Sequence, residues 1–422
     1  MDLLKNIFKG DKVIWIIFLC LCLISIIEVF SAASTLTYKS GDHWGPITQH
    51  SIILMVGAVV VVFLHNVPYK WFQVFPVFLT GDRVNGAARW MTFMGLQFQP
   101  SELAKMAVII AVSFILSKKQ DEYGANPKAF KYIMILTGLV FILIAPENLS
   151  TAMLLFGVVC MMMFIGRVSA KKLFGMLGLL ALVGGVAVGI LMAIPAKTLH
   201  NTPGLHRFET WQNRVSGFFD KEEVPAAKFD IDKDAQIAHA RIAIATSHVV
   251  GKGPGNSIQR DFLSQAFSDF IFAIVVEEMG LIGGIFVVFL YLWLLMRAGR
   301  IAQKCERTFP AFLVMGIALL LVSQAILNMM VAVGLFPVTG QPLPLVSKGG
   351  TSTLINCAYI GMILSVSRYT AHLEEQKEHD AQLQLQIETN AADSEAQAAA
   401  EPTAQILNSD AKFEDENDIN KG

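Results

Sequence analysis

The 422 residues are 54% hydrophobic and only 16% charged, with a mean hydropathy of +0.52 and a net charge of −1. Such a chain is too apolar for a soluble protein of this length, and nothing in its charge points to nucleic acid. Its long uncharged runs can cross a bilayer only as helices whose backbone groups bond internally, so the predicted fold class is an all-α polytopic membrane protein.

Taken in chain order, the apolar runs predict spans at roughly 13–33, 47–66, 103–117, 132–145, 152–166, 173–194, 270–296, 311–336 and 354–367. The first follows Lys5, Lys9 and Lys12 and lacks a small-residue cleavage pattern, so it reads as a retained span after a cytoplasmic N-terminus at 1–12. Basic loops containing Lys118, Lys119, Lys128 and Lys131, then Arg167, Lys171 and Lys172, then Arg297, Arg300, Lys304 and Arg307 read as cytoplasmic. Parity then requires a tenth crossing between 66 and 103. The one candidate, Trp71 to Thr80, reaches only about half of a ~30 Å core, which makes the third helix atypically short. About ten helices are expected. The loops 81–102, 197–268 and 337–353 then face the non-cytoplasmic side, and Ala235 to Val250 within the longest reads as a helix, either at the membrane interface or packed on other loops. Residues 371–422 carry thirteen carboxylates against three lysines among Gln, Ala, Ser and Asn, so 369–422 reads as a disordered acidic cytoplasmic tail. The five cysteines suggest no disulfide, with four in apolar runs and Cys305 in a basic loop.

Three stretches could carry chemistry. GDRVNGAARWMTFMGLQFQPSELAK (81–105) places Arg83, Arg89, Gln99, Glu102 and Lys105 at the mouth of a span, with Pro100 and Ser101 as a helix start. Glu102 and Lys105 are either an ordinary ion pair at a helix end or, where headgroups lie, part of a diphosphate site with Arg89. In SDFIFAIVVEEMG (268–280), Asp269 is either a first-turn carboxylate capped by Ser268 or a functional acid. Glu277 and Glu278 lie two turns deeper, where charge must be paired, protonated or facing water, so one of them is expected at an interior cavity. GLFPVTGQPLPLVSKGGTST (334–353) interrupts an apolar stretch with prolines and glycines, including Pro342, Pro344, Gly349 and Gly350, and must be buried in protein or line a cavity. The glycine-rich Gly251 to Asn256 follows no predicted strand, which argues against a nucleotide fold, and no HExxH, zinc-spaced cysteine pair or Walker A sequence appears.

Together these stretches resemble the FtsW/RodA family, the SEDS peptidoglycan glycosyltransferases. The resemblance rests on GAARW with QPSELAK, on GKGPGNSIQR with SDFIFAIVVEEMG, and on GLFPVTGQPLPLVSKGGTST, and it runs from about residue 12 to 368. It implies ten helices, an extracytoplasmic cavity, and polymerisation of lipid II with Asp269 as the catalytic acid-base group. Glu102 and Lys105 match the charged pair near it. Four departures stand out: the short third helix; Asn148 in Glu147-Asn148-Leu149-Ser150-Thr151, where the family has an acid; Leu263 to Ser268 in place of Leu-Pro-Glu-x-His-Thr; and Lys348 in place of the tyrosine of Ser-Tyr-Gly-Gly. GKGPGNS and the acidic tail are more similar to the division member than to the elongation member.

The implied reaction is attack by the 4-hydroxyl of an N-acetylglucosamine on the anomeric carbon of a lipid-diphosphate sugar, with inversion. Asp269 would act as base, and Arg89 and Lys105 would neutralise the diphosphate with Glu102 holding Lys105; Gln99, Ser347 and Lys348 are further substrate-binding candidates. A divalent cation, Mg or Mn, is a candidate helper, with no organic cofactor. The implied partners are lipid II, the membrane, a class B penicillin-binding transpeptidase and other division proteins, at the septal inner membrane. Three alternatives stay open: the family's elongation polymerase, a lipid II flippase using buried acids for ion coupling, or a scaffold without chemistry.

Overall fold

The computed structural model describes residues 9–32, 44–73, 91–93, 96–121, 124–146, 148–194, 212, 234–263 and 266–419. Ten α-helices occur among them: α1 (Lys12–Ala32), α2 (Gly45–Asn66), α3 (Pro100–Lys118), α4 (Pro127–Ile144), α5 (Leu149–Ile165), α6 (Ala170–Ala193), α7 (Asp234–Ala245), α8 (Ile271–Lys304), α9 (Thr308–Ala332) and α10 (Thr351–Ile419). Seven of these are long and apolar enough to span a bilayer, and α5 is a shorter apolar helix. The chain is an all-α polytopic membrane protein. Each of the nine spans read from hydropathy matches a helix. Of the short third crossing only a 3₁₀ turn at Tyr69–Gln73 is described; the rest of 71–80, and Arg83 and Arg89, lie outside the described residues.

Local sequence sets the helix starts. Pro100 opens α3 and Pro127 opens α4, where a missing N–H removes no intrahelical bond. The Asn126 side chain accepts the Lys128 N–H at 3.0 Å, and Asn148 accepts the Thr151 N–H at 3.1 Å, so Asn148 serves as the N-cap of α5. Residues 91–93 and 96–98, read from sequence as part of a loop, instead pair as an antiparallel hairpin, β1 (Met91–Phe93) with β2 (Leu96–Phe98). Alternating apolar and polar side chains in MTF and LQF suit that pairing.

The bundle is organised around α9, which packs on α3, α5 and α8, while α8 also packs on α1 and on α7. With no hydrophobic drive between helices in lipid, close packing has to hold them. Gly316 provides it: a Cβ there would collide with Met162 of α5 and Ile109 of α3. By contrast α6 is apolar on every face and has Leu173 as its one buried hydrophobic residue. The long-loop helix α7 packs rather than lying free, with Ala240 and Ala243 buried, His239 bonded to Gln259 (2.7 Å) and stacked on Phe262.

Residues 1–368 and 369–422 form two compact units. The second consists of helix, since α10 runs to Ile419. From 371 to 392 every residue but Leu373 is exposed, so this stretch has no packed face. Its Ala, Glu, Gln, Leu and Lys content favours helix by propensity alone.

Candidate functional site

Asp269 sits just before α8. That helix starts at Ile271 with Phe270 as its N-cap, so Asp269 is not the first-turn residue expected from sequence. Its carboxylate is half-buried, accepts the Ser268 hydroxyl at 2.9 Å, and has Gly340 of the 333–350 loop beside it. Its main chain is held from below, where the Asn328 side chain of α9 donates to the Asp269 carbonyl (2.9 Å) and to the Gln341 carbonyl (2.8 Å). The Gln341 amide donates in turn to the Thr151 hydroxyl at 2.6 Å. One buried amide thus ties both site loops to the central helix.

The 333–350 loop is pinned at successive residues. Ser347 Oγ donates to the Ser268 carbonyl (2.6 Å) and accepts the Leu343 N–H (2.8 Å), and the Lys348 N–H donates to the Phe267 carbonyl (2.9 Å). Tyr291 of α8 donates to the Pro344 carbonyl, and Ser25 of α1 donates to the Val346 carbonyl at 2.8 Å while bonded to His50 of α2 at 2.7 Å. Between those two anchors Leu345 has φ 65°, a left-handed conformation costing about 1–2 kcal/mol in a non-glycine residue, which the flanking bonds hold in place. Lys348 is half-buried with its ammonium 5.8 Å from the centre of the Phe267 ring, and burial pushes its pKa below the usual lysine value. Gly349 lies at the turn into α10, its carbonyl accepting from the Ser352 N–H (2.9 Å) and hydroxyl (2.7 Å), and Gly350 takes a positive φ there.

The Glu102–Lys105 pair forms as the i,i+3 spacing predicts, at 2.8 Å, but Lys105 is 0% and Glu102 4% exposed. The Lys105 ammonium also donates to Gln324 of α9 (3.0 Å), whose amide donates to the Pro342 carbonyl (3.0 Å). Lys105 thus braces the loop through Gln324, its buried ammonium held by its carboxylate and amide partners. Gln99 precedes α3, half-buried and without a side-chain cap bond; Arg89 lies outside the described residues.

Of Glu277 and Glu278, one is expected at an interior cavity. Both are buried and bonded to the glycine-rich loop. Glu277 accepts from Lys252 (2.6 Å), Ser257 (2.5 Å) and the Ile258 N–H (3.1 Å); Glu278 accepts from the Gly255 N–H (2.9 Å), the Ser257 N–H (3.1 Å) and Ser31 of α1, with Arg260 at 4.0 Å. The loop seats in a break of α8 at Gly280 (φ 74°). The carbonyls of Glu277 and Glu278 accept the N–H groups of Lys252 and Gly253, and the N–H groups of Leu281 and Ile282 reach the carbonyls of His248 and Val249. The backbone groups released by the break are thus satisfied by the loop, as a span requires. Gly251 and Gly280 touch back to back, and a Cβ on either would fall far inside van der Waals separation from the other's backbone.

The residues that sequence reasoning missed are Gln324, Asn328, Gln341, Ser25 and His50. All sit singly inside apolar runs or the loop, and their one visible signal is a polar side chain where a span is otherwise apolar. Among the described residues no three carboxylate, imidazole or thiol groups lie together, and no step is assigned to the Mg or Mn ion that is a candidate from sequence.

Fold and site define a polytopic membrane protein with one half-exposed carboxylate set on a rigid polar network beneath an irregular loop. Residues 11–372 match the family model described as cell cycle protein, FtsW/RodA/SpoVE, and the chain belongs to that family. It is 30% identical over 382 residues to a probable peptidoglycan glycosyltransferase FtsW of Geobacter sp. strain M18, covering 86% of this chain and 98% of that one. It is also 30% identical to a protein of the same description from Polynucleobacter necessarius, covering 84% of each. Among solved structures, a chain from a peptidoglycan synthase complex, described as coordinating polymerization and crosslinking, superposes with a TM-score of 0.62 at 23% identity, covering 86% of this chain and 99% of that one. The rod shape determining protein RodA of Thermus thermophilus does so at 0.54 and 21%, covering 86% and 98%. These two likenesses concern the fold.

Proposed function

We propose that this chain is a peptidoglycan glycosyltransferase that polymerises lipid II during cell division, with Asp269 as general base. The observation that carries the reading is the contrast among its carboxylates: Glu102, Glu277 and Glu278 are buried against partners, whereas Asp269 is half-exposed and held by its main chain, leaving the carboxylate oriented yet reachable. In the reaction the 4-hydroxyl oxygen attacks the anomeric carbon, Asp269 takes the hydroxyl proton, and the lipid diphosphate leaves with the electron pair of the broken bond. A base so placed contributes about 10²–10⁴-fold. Among the described candidates, half-buried Lys348, with its ammonium over the Phe267 ring beside the site, is the cation that would meet the diphosphate.

The likeness to relatives described as probable FtsW supports the division role, an inner-membrane location at the septum, and a class B penicillin-binding transpeptidase with other division proteins as partners. The acids that suited ion coupling, Glu277 and Glu278, are engaged with the 251–260 loop, which removes the sequence argument for a flippase. The test is reconstitution of the purified chain with its transpeptidase and labelled lipid II. Wild type is expected to yield polymer and Asp269→Asn none above about a hundredth of that rate; a variant retaining more than about a tenth would remove the base assignment.

A further inference from the structure

Glu28 lies in α1 within electrostatic reach of Glu278, and no role described so far uses it. It is 0% exposed, and neither of its carboxylate oxygens has a hydrogen-bond partner among the described residues. The charges around it already balance. Facing α1 from α8 are Glu277 and Glu278; from the 251–261 segment come Lys252, Arg260 and Asp261; from α2 comes His50, bonded to Ser25. Lys252 pairs with Glu277 at 2.6 Å and Arg260 sits 4.0 Å from Glu278, while Asp261 is largely exposed on the far side of Arg260. Glu28 therefore brings one more negative charge than the cluster has cations, and Glu278 lies within electrostatic reach of it.

We propose that Glu28 is a proton-binding site inside the membrane-spanning bundle, and that loss of its proton unseats the glycine-rich loop from the break in α8. An unpaired carboxylate in an apolar surround is held only by neutralisation, through a proton or a metal cation. The proton fits and the metal does not: among the described residues no group of three acidic, histidine or cysteine side chains exists to coordinate an ion, and hard cations need six or more oxygens. The coupling runs through Ser31, one turn along α1. Arg260 donates to Ser31 (2.8 Å) and to the Gly255 carbonyl (2.8 Å), and Ser31 donates to Glu278. Once Glu28 ionises, its new charge draws on Arg260, which is bonded to Ser31 one turn along α1, and turning Arg260 toward Glu28 gives up the Gly255 bond that fastens the loop. The proton leaves Glu28 as COOH → COO⁻ + H⁺, with no other reactant.

Two measurements on the full chain in lipid vesicles test this, and neither uses substrate, so the result is independent of the polymerase reading. Infrared difference spectra of wild type against Glu28→Gln at neutral pH should show one carboxylic-acid C=O band that the variant lacks, and in wild type this band should titrate away at alkaline pH. Hydrogen exchange at the Gly255 and Ser257 amides should be equal in the two proteins at neutral pH and several-fold faster in wild type at alkaline pH. Should Glu28→Gln fail to fold, the test rests on wild type alone, with the alkaline loss of the band and a rise in loop exchange that exceeds the base-catalysed rise at the buried amides of α9. An acid band absent from wild type at neutral pH, or loop exchange that rises no more than at those amides as the band disappears, overturns the proposal.

Discussion

Two polar regions flank the first turns of α8, and they are built in opposite ways. Around Asp269 the work is done by neutral groups, with amides of Asn328 and Gln341, hydroxyls of Ser268 and Ser347 and backbone carbonyls fixing the frame while the one carboxylate stays half-exposed. Around Glu277 and Glu278 the charges themselves are the fastening, and both are closed off by Lys252, Arg260 and loop N–H groups. A carboxylate engaged on all sides stabilises a shape and is poorly placed to accept a substrate proton; one whose main chain is fixed by neutral bonds can be both rigid and reactive.

The sharpest way to break that comparison is at the carboxylates. Asp269→Asn should cost about 10²-fold or more in polymer formation with little change in melting temperature, since the main-chain bond that holds the residue is kept. Lys105→Met should do the reverse. It strands buried Glu102 and should destabilise the fold by about 3–5 kcal/mol, read as a lowered melting temperature in detergent, with much of the loss recovered when Glu102→Gln is added. Failure of the double variant to recover would return Lys105 to the list of substrate contacts. Gly280→Ala comes next: the positive φ alone costs about 1–3 kcal/mol, and the clash with Val249 and Gly251 adds to it, so the variant should melt well below wild type. Ser25→Ala removes the bond to the Val346 carbonyl and should cost about 0.5–1.5 kcal/mol. Truncation after Leu373 should leave polymer formation unchanged, because residues 374–392 are exposed on every face and have no packing to lose.

The spans were legible because hydropathy over a bilayer's thickness is a strong signal, and Asp269 stood out because an acid heading a span is rare. The reading went astray where polarity alone cannot say which side of a pair faces outward. Lys105 and Glu277 look like site residues in sequence because burial and partnership are properties of distant segments: Gln324 lies 219 residues from Lys105, and Lys252 lies in a loop 25 residues before Glu277. The glycine-rich 251–256 stretch had no readable purpose for the same reason, since its fit depends on a break in a helix that otherwise reads as continuous. For the tail, low hydrophobicity excludes a core but leaves open a helix held by propensity.

The back-to-back contact of Gly251 with Gly280 has a consequence for the history of the chain. Most tight contacts can drift, with one partner growing as the other shrinks, so that a first damaging change opens a route to a second that repairs it. Here both partners are already the smallest residue, and what each one touches is backbone, which cannot be trimmed. No reciprocal substitution exists for either position. The two codons are locked independently, each with every alternative closed, and variation in this part of the protein has to pass around them.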